Sequence, residues 1–271
     1  MSKKTKMVLY WVVVAFLVTV ILVCVGLIAH KLISDAQDKA FNENLASDKN
    51  SLATGTRPTG TAPTVPTKPN ESTTPTAPSI LPEYAPSYAL NNDMVGWIQI
   101  PGTSIDYPVV QSLYEPNYYL RRNFQKQNAT CGTIYVREAC DVNKPSDSVL
   151  LYGHNMRNGT MFHDLINFKE KSFWEANRYI YFDTLTEYHT YEIVAVFTTT
   201  ADPSVGFRYH IFSDGTQEVY DKFVANCKAL SLFDTGITPQ YGEKLLTLST
   251  CDKTLGYGDD GRLVVVARRI I

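Results

Sequence analysis

The sequence has no surplus of charge of either sign. Its 25 Lys and Arg stand against 27 Asp and Glu, a net charge of −2 over 271 residues, so the basic footprint that nucleic acid demands is missing and nucleic acid is not expected as a partner. It also has little cysteine and none in metal-type spacing. The five cysteines, at positions 24, 131, 140, 227 and 251, form no Cys-x-x-Cys pair, and no His-Glu-x-x-His occurs, which argues against structural zinc and zinc-peptidase chemistry. No metal or other cofactor is expected. Cys131 and Cys140 could be bridged only if their Cα atoms come within disulfide reach, and both are taken as free thiols. No internal repeat is visible, which excludes solenoids and propellers. What is present, 44% hydrophobic, 12% aromatic and 19% charged residues, is a globular profile.

The N-terminus sets the compartment. Lys3, Lys4 and Lys6 precede residues 8–29, which carry no charge and as a helix would span roughly 30 Å of hydrocarbon. A cleaved signal would have a shorter apolar core and a small-x-small exit, so an uncleaved transmembrane anchor is expected, with residues 1–7 as a cytoplasmic tail. The lysines hold that end inside and send the rest of the protein out of the cell. Residues 30–79 then read as a juxtamembrane segment and a stalk. The stretch 51–79 contains nine threonines and six prolines, a composition that cannot bury a core and that reaches at most about 90 Å when extended.

Residues 80–271 read as one mostly β domain. Periodicity and breakers predict strands over 96–100, 105–110, 132–136, 148–152, 179–183, 189–200, 244–250 and 262–270, and helices over 84–92, 161–168 and 216–230. The last helix carries an apolar stripe of Val219, Tyr220, Phe223, Val224, Cys227 and Leu230, with Asp214 as its expected N-cap. Cys227 on that stripe reads as core. Eight short strands fit either a closed barrel or a sandwich.

Three residues stand at strand ends. Cys251 closes the apolar run that begins at Lys244, Arg262 opens the next run, and His154 follows Ser148-Val149-Leu150-Leu151-Tyr152 and one glycine. Thiol, imidazole and guanidinium at strand mouths on one small β domain form the constellation of a thiol acyl-transfer site. His30, His189 and His210 read instead as surface or structural residues, and so does His163 at a helix start.

The motifs Thr247-Leu248-Ser249-Thr250-Cys251, the following Arg262, and Tyr152-Gly153-His154-Asn155-Met156 resemble the signatures of the sortases, the transpeptidases of Gram-positive surface proteins. The resemblance runs through Gly96-Trp97-Ile98-Gln99-Ile100-Pro101 and Asn117-Tyr118-Tyr119-Leu120 and covers residues 93–271; the helix between the sixth and seventh strands points to class B. It implies an eight-stranded β-barrel with an N-terminal helix, carrying Cys251 as nucleophile, His154 as acid and base, and Arg262 as the electrophilic partner. It further implies that Ser249, Thr250 and Leu120 line the peptide groove, whereas position 116, where relatives offer a polar side chain, is proline here. The implied partners are a sorting-signal peptide of Asn-Pro-x-Thr or Pro-x-Thr-Gly type, an amine of the peptidoglycan precursor, or in a pilin-polymerising subset a second pilin.

Two rival classes fit less well. A papain-like or wall-hydrolysing cysteine peptidase puts its Cys early and its His downstream, whereas His154 precedes Cys251 here. A non-catalytic adhesin module would share the anchor and stalk but has no reason to set Cys, His and Arg at three strand ends.

Overall fold

The computed structural model describes residues 3–53, 79–202 and 204–271, so much of the expected stalk lies outside the described residues. The protein divides into two compact units, Met1–Phe41 and Asn42–Ile271. The first helix, α1, spans Lys3–Leu52. Among the described residues it is the one helix long and apolar enough to cross a membrane.

The last turns of α1 belong to the second unit. Asn42, Leu45 and Lys49 are its buried residues, and their spacing of three and four puts them on one helical face. Leu45 supplies apolar burial, worth about 1.5–3 kcal/mol for a side group of its size. Lys49 supplies an ion pair to Asp106 at 2.5 Å and lies 4.9 Å from the centroid of the Trp97 ring. The indole Nε1–H of Trp97 donates to the same Asp106 oxygen, so the charge of this half-buried carboxylate is shared by two donors instead of standing alone. Tyr84 stacks on Trp97 as well, with ring centroids 6.0 Å apart.

A second helix, α2 (Ala85–Leu90), leads into the sheet. The strands are β1 (Met94–Gln99), β2 (Asp106–Val110), β3 (Tyr135–Val136), β4 (Ser148–Tyr152), β5 (Tyr179–Thr184), β6 (Thr190–Thr200), β7 (Leu245–Cys251) and β8 (Gly261–Arg269). They close into a barrel in the order β1-β2-β3-β4-β7-β8-β6-β5, which leaves no unpaired edge. All pairs are antiparallel except β2 with β3 and β4 with β7. Those two parallel contacts need crossovers, and the second, from β4 to β7, carries everything between residues 152 and 245. Within it lie α3 (Lys171–Ala176) and α4 (Gln217–Leu230). Helix α4 buries Tyr220, Phe223, Val224 and Cys227 and packs against β6, the apolar stripe meeting the longest strand.

Three local expectations change. Helix α3 carries no capping signal, and it follows directly on a 3-10 run, His163–Lys169, where an α-helix was expected. The strand expected at 132–136 shortens to Tyr135–Val136, and Gly132 takes φ +59, a left-handed turn conformation outside the extended region. Asp214 is not the N-cap of α4. The helix starts at Gln217 with Thr216 as N-cap and no side-chain cap bond, while the Asp214 carboxylate accepts the backbone N–H of Asp147 at 3.0 Å. The four cysteines of the second unit carry free thiols, and Cys227 is buried as core.

Candidate active site

Cys251 is the last residue of β7 and lies directly opposite Arg262, the second residue of β8, in the antiparallel register. Side groups of opposed residues share one face of the sheet, so strand register alone brings thiol and guanidinium together. The ladder stays tight past the strand end: Asp252 N–H donates to the C=O of Gly261 at 2.9 Å. A Cβ on Gly261 would stand 2.1 Å from the Asp252 carbonyl oxygen, so glycine is what permits this approach. Arg262 donates from Nη1 to the Gly261 C=O at 2.9 Å.

His154 arrives from the parallel neighbour. β4 pairs Tyr152 with Ser249, and at Gly153, the next residue, a Cβ would meet the Phe162 ring at 2.5 Å. The Nε2 of His154 lies 2.8 Å from the backbone carbonyl oxygen of Leu120. A carbonyl only accepts, so Nε2 carries the hydrogen and the neutral ring keeps its lone pair on Nδ1. Burial pushes the His154 pKa below that of a free imidazole; the bond to Leu120 opposes this, and the charges of Arg121, Arg262 and Lys253 add to the depression. Near neutral pH the ring is therefore mostly neutral.

That shift has a sign for stability. Below about 6.5, the value of an unperturbed imidazole, the unfolded protein binds a proton that the folded protein refuses, so stability falls as pH drops through the window between the two values and is regained above it. His189 and His210 are also lowered, mainly by burial. The thermal midpoint is thus expected to decline between pH 7 and 5, and His154→Gln to decline less steeply because one of the three contributors is gone. Melting curves across that range check it; equal slopes in both proteins would show that His154 does not titrate in this way.

Cys251, His154 and Arg262 share one groove, with a cavity of about 360 Å³, together with Leu120, Ser249 and Thr250. All six residues named from the sequence meet there. The Leu120 side group is partly exposed, while its carbonyl holds His154. Ser249 and Thr250 are buried; the Ser249 hydroxyl is bonded to the Tyr209 hydroxyl at 2.7 Å and that of Thr250 donates to the Gly153 C=O at 2.8 Å. Asp252 lies elsewhere: its carboxylate caps the 3-10 turn Lys253–Leu255 and pairs with Lys169. Burial would raise its pKa, but Lys169 and Thr254 hold it below the usual carboxylate range.

The groove also takes residues that the strand pattern did not flag, among them Tyr135, Tyr152, Tyr209 and His210. Burial raises the phenols of Tyr135 and Tyr209, against the pull of Arg262 on both; the Tyr135 hydroxyl donates to Asn117 Oδ1 at 2.8 Å and that of Tyr209 is bonded to Ser249. Tyr209 and His210 lie in a 3-10 turn between β6 and α4. Nothing in their local sequence marks that turn as facing Cys251, and His210, read as surface or structural, in fact lines the groove.

A closed eight-stranded barrel with Cys, His and Arg converging at the ends of three neighbouring strands defines a cysteine acyl-transfer enzyme. The sortase domain family profile matches residues 98–270. A sortase B of Listeria monocytogenes is 34% identical over 184 residues, 67% of this protein and 71% of the relative, and a sortase B of Staphylococcus aureus is 27% identical over 193 residues, 71% and 76% of the two proteins. Among solved structures, a Staphylococcus aureus sortase B–substrate complex superposes with a TM-score of 0.72 at 25% identity, covering 88% of this protein and 98% of that one. A sortase B-like protein of Bacillus anthracis gives 0.70 at 27% identity, covering 86% and 96%. The protein belongs to the sortase family, class B, and is a cysteine transpeptidase.

Proposed function

We propose that this protein cleaves a C-terminal sorting signal after threonine, holds the product as a thioester on Cys251, and passes it to an amine of the cell-wall precursor. The observation that carries the reading is the register pairing of Cys251 with Arg262 in the groove that also contains His154. The Cys251 thiolate attacks the threonine carbonyl carbon, and the negative charge that develops on the carbonyl oxygen meets the planar guanidinium fork of Arg262. The C–N bond then breaks, and the departing amine takes a proton from the His154 imidazolium. In the second half-reaction the acceptor amine attacks the thioester, His154 takes its proton, and the C–S bond breaks to return the thiolate. Because the His154 pKa is depressed, the imidazolium required by the first step is a minority form at neutral pH.

A substrate complex is known for the Staphylococcus aureus relative, and by that likeness a sorting peptide occupies the groove here, with Leu120, Ser249 and Thr250 along its walls. Signals of Asn-Pro-x-Thr and Pro-x-Thr-Gly type are the candidates. The test is a small library of such peptides incubated with and without an amine acceptor such as a peptidoglycan stem peptide, the products being sequenced by mass. Cleavage after threonine with acyl transfer to the amine is expected. Release of free acid alone, at an unchanged rate when amine is added, would make the enzyme a hydrolase.

Residues 8–29 anchor the protein in the cell membrane with the catalytic domain outside, supported by the apolar helix and the three preceding lysines. Protease added to intact protoplasts is expected to release a domain of about 190 residues, since the Thr/Pro-rich composition of residues 51–79 cannot bury a core. Complete protection would overturn that orientation.

A further inference from the structure

The parallel ladder between β4 and β7 does not stop where β4 does. Gly153 N–H still donates to the Ser249 C=O at 3.2 Å. Bonds in a parallel ladder recur at alternate residues, so the next rung would join the backbone N–H of residue 155 to the C=O of Cys251. In its place the side-chain amide of Asn155 donates from Nδ2 to the Cys251 C=O at 3.0 Å. His154 lies between these two rungs, and the Thr250 hydroxyl ties down the Gly153 C=O beside it.

The amide of Asn155 has only one orientation that works. The Cys251 carbonyl accepts and cannot donate, so Nδ2 faces it and Oδ1 faces the Nδ1 of His163 at 2.8 Å. Oδ1 also only accepts, so His163 donates from Nδ1. The loop that carries these residues is closed on itself: Phe162 N–H donates to the His154 C=O at 2.9 Å, and Asn155 forms an isolated bridge with Met161. Met161 sits at φ 59, a left-handed conformation that a non-glycine residue rarely adopts, as expected where surrounding contacts over-determine the backbone.

The geometry points to Asn155 and His163 as positioning residues: Asn155 locks the loop of the base onto the backbone of the nucleophile, and His163 fixes the direction of that lock. The inference rests on the reading of Cys251 and His154 as nucleophile and base. Neither Asn155 nor His163 touches the reacting atoms. Their effect is on how closely and in what orientation His154 meets the thiol, and a displacement of about 1 Å in such a pair costs on the order of a hundredfold in rate.

The test uses the full-length protein in detergent and two readouts, kcat/KM for a cleavable sorting peptide and the pH profile of Cys251 alkylation by iodoacetamide, followed by peptide mass. His154→Ala is expected to displace the alkylation profile. Asn155→Ala, Asn155→Asp and His163→Leu should displace it in the same direction and lower kcat/KM about ten- to a hundredfold, since each removes or reverses a donor in the relay. His163→Asn, whose amide N–H falls close to the original Nδ1, should restore most of both. A fold-only role would lower the melting temperature without moving the alkylation profile. If Asn155→Ala does not fold, Asn155→Asp and the His163 pair decide the matter.

A wild-type profile in the Asn155 variants beside a displaced one in His154→Ala would overturn the positioning role and leave the nucleophile and base intact. No displacement in His154→Ala would overturn the base assignment itself and this inference with it. Equal losses in His163→Leu and His163→Asn would remove His163.

Discussion

A Cys251→Ala variant is expected to form no acyl-enzyme and to cleave no sorting peptide, a loss on the order of a million-fold that an assay reads as zero. The reason lies in placement. Cys131, Cys140 and Cys227 are buried, and burial raises the thiols of Cys140 and Cys227, which removes the thiolate that attack requires. Cys24 lies in the apolar run of the first unit. Cys251 alone among the five lines the groove. Cys131→Ala, Cys140→Ala and Cys227→Ala are accordingly expected to keep kcat/KM and to lose stability instead, since each leaves a small void in a packed interior. Intact mass of enzyme quenched with peptide separates the cases. An acyl adduct surviving on the Cys251→Ala protein would move the nucleophile to another residue.

Arg262→Lys is expected to lower kcat/KM about 100- to 1,000-fold, or roughly 2.7–4 kcal/mol, as for loss of one oxyanion donor. Lysine keeps the charge but not the planar fork. The fork is held at the groove by the bond from Nη1 to Gly261 and by the register opposite Cys251, and its charge is felt by the groove phenols Tyr135 and Tyr209. Were Arg262 only a member of a solvated ion pair at a strand end, the same change would cost about 0–1 kcal/mol. Arg268→Lys and Arg269→Lys are the controls. They sit at the far end of β8, where Arg268 bonds Glu192 at 3.0 Å and Glu243 at 3.2 Å and Arg269 approaches His189. These variants should lose stability and keep kcat/KM. Equal losses at all three positions would strike Arg262 from the catalytic set.

The strands were legible because each carries a local signal. Ser148–Tyr152 and Leu245–Cys251 are β-prone, largely apolar runs without charge, ended by Gly153 and by the Gly- and Asp-rich stretch after 251, and those breakers are also what put His154 and Cys251 at strand mouths. Four of the six members of the α4 stripe, Tyr220, Phe223, Val224 and Cys227, are buried as its period implies, whereas Val219 and Leu230 at its edges are exposed. Asp214 misled because the helix was expected to begin nearer to it; the helix begins at Gln217 with Thr216 as N-cap, which puts Asp214 outside the cap position, and a backbone N–H from residue 147 claims its carboxylate. His210 and Tyr209 were illegible because their turn faces Cys251 only once the barrel has closed.

By itself the sequence determined the class of chemistry, the identity of the three strand-end residues, the apolar N-terminal helix and the mostly β character, all properties that reside in short windows or in residue type. Tertiary structure alone decided what lies between them. The choice of a barrel over a sandwich follows from β1 pairing with β5; the Leu120 carbonyl behind His154 and the Asn155 amide on Cys251 join residues 34 and 96 positions apart. Such contacts depend on strand register and on a parallel crossover, and a pairwise hydrogen bond leaves no periodic trace in either of the two segments that it joins.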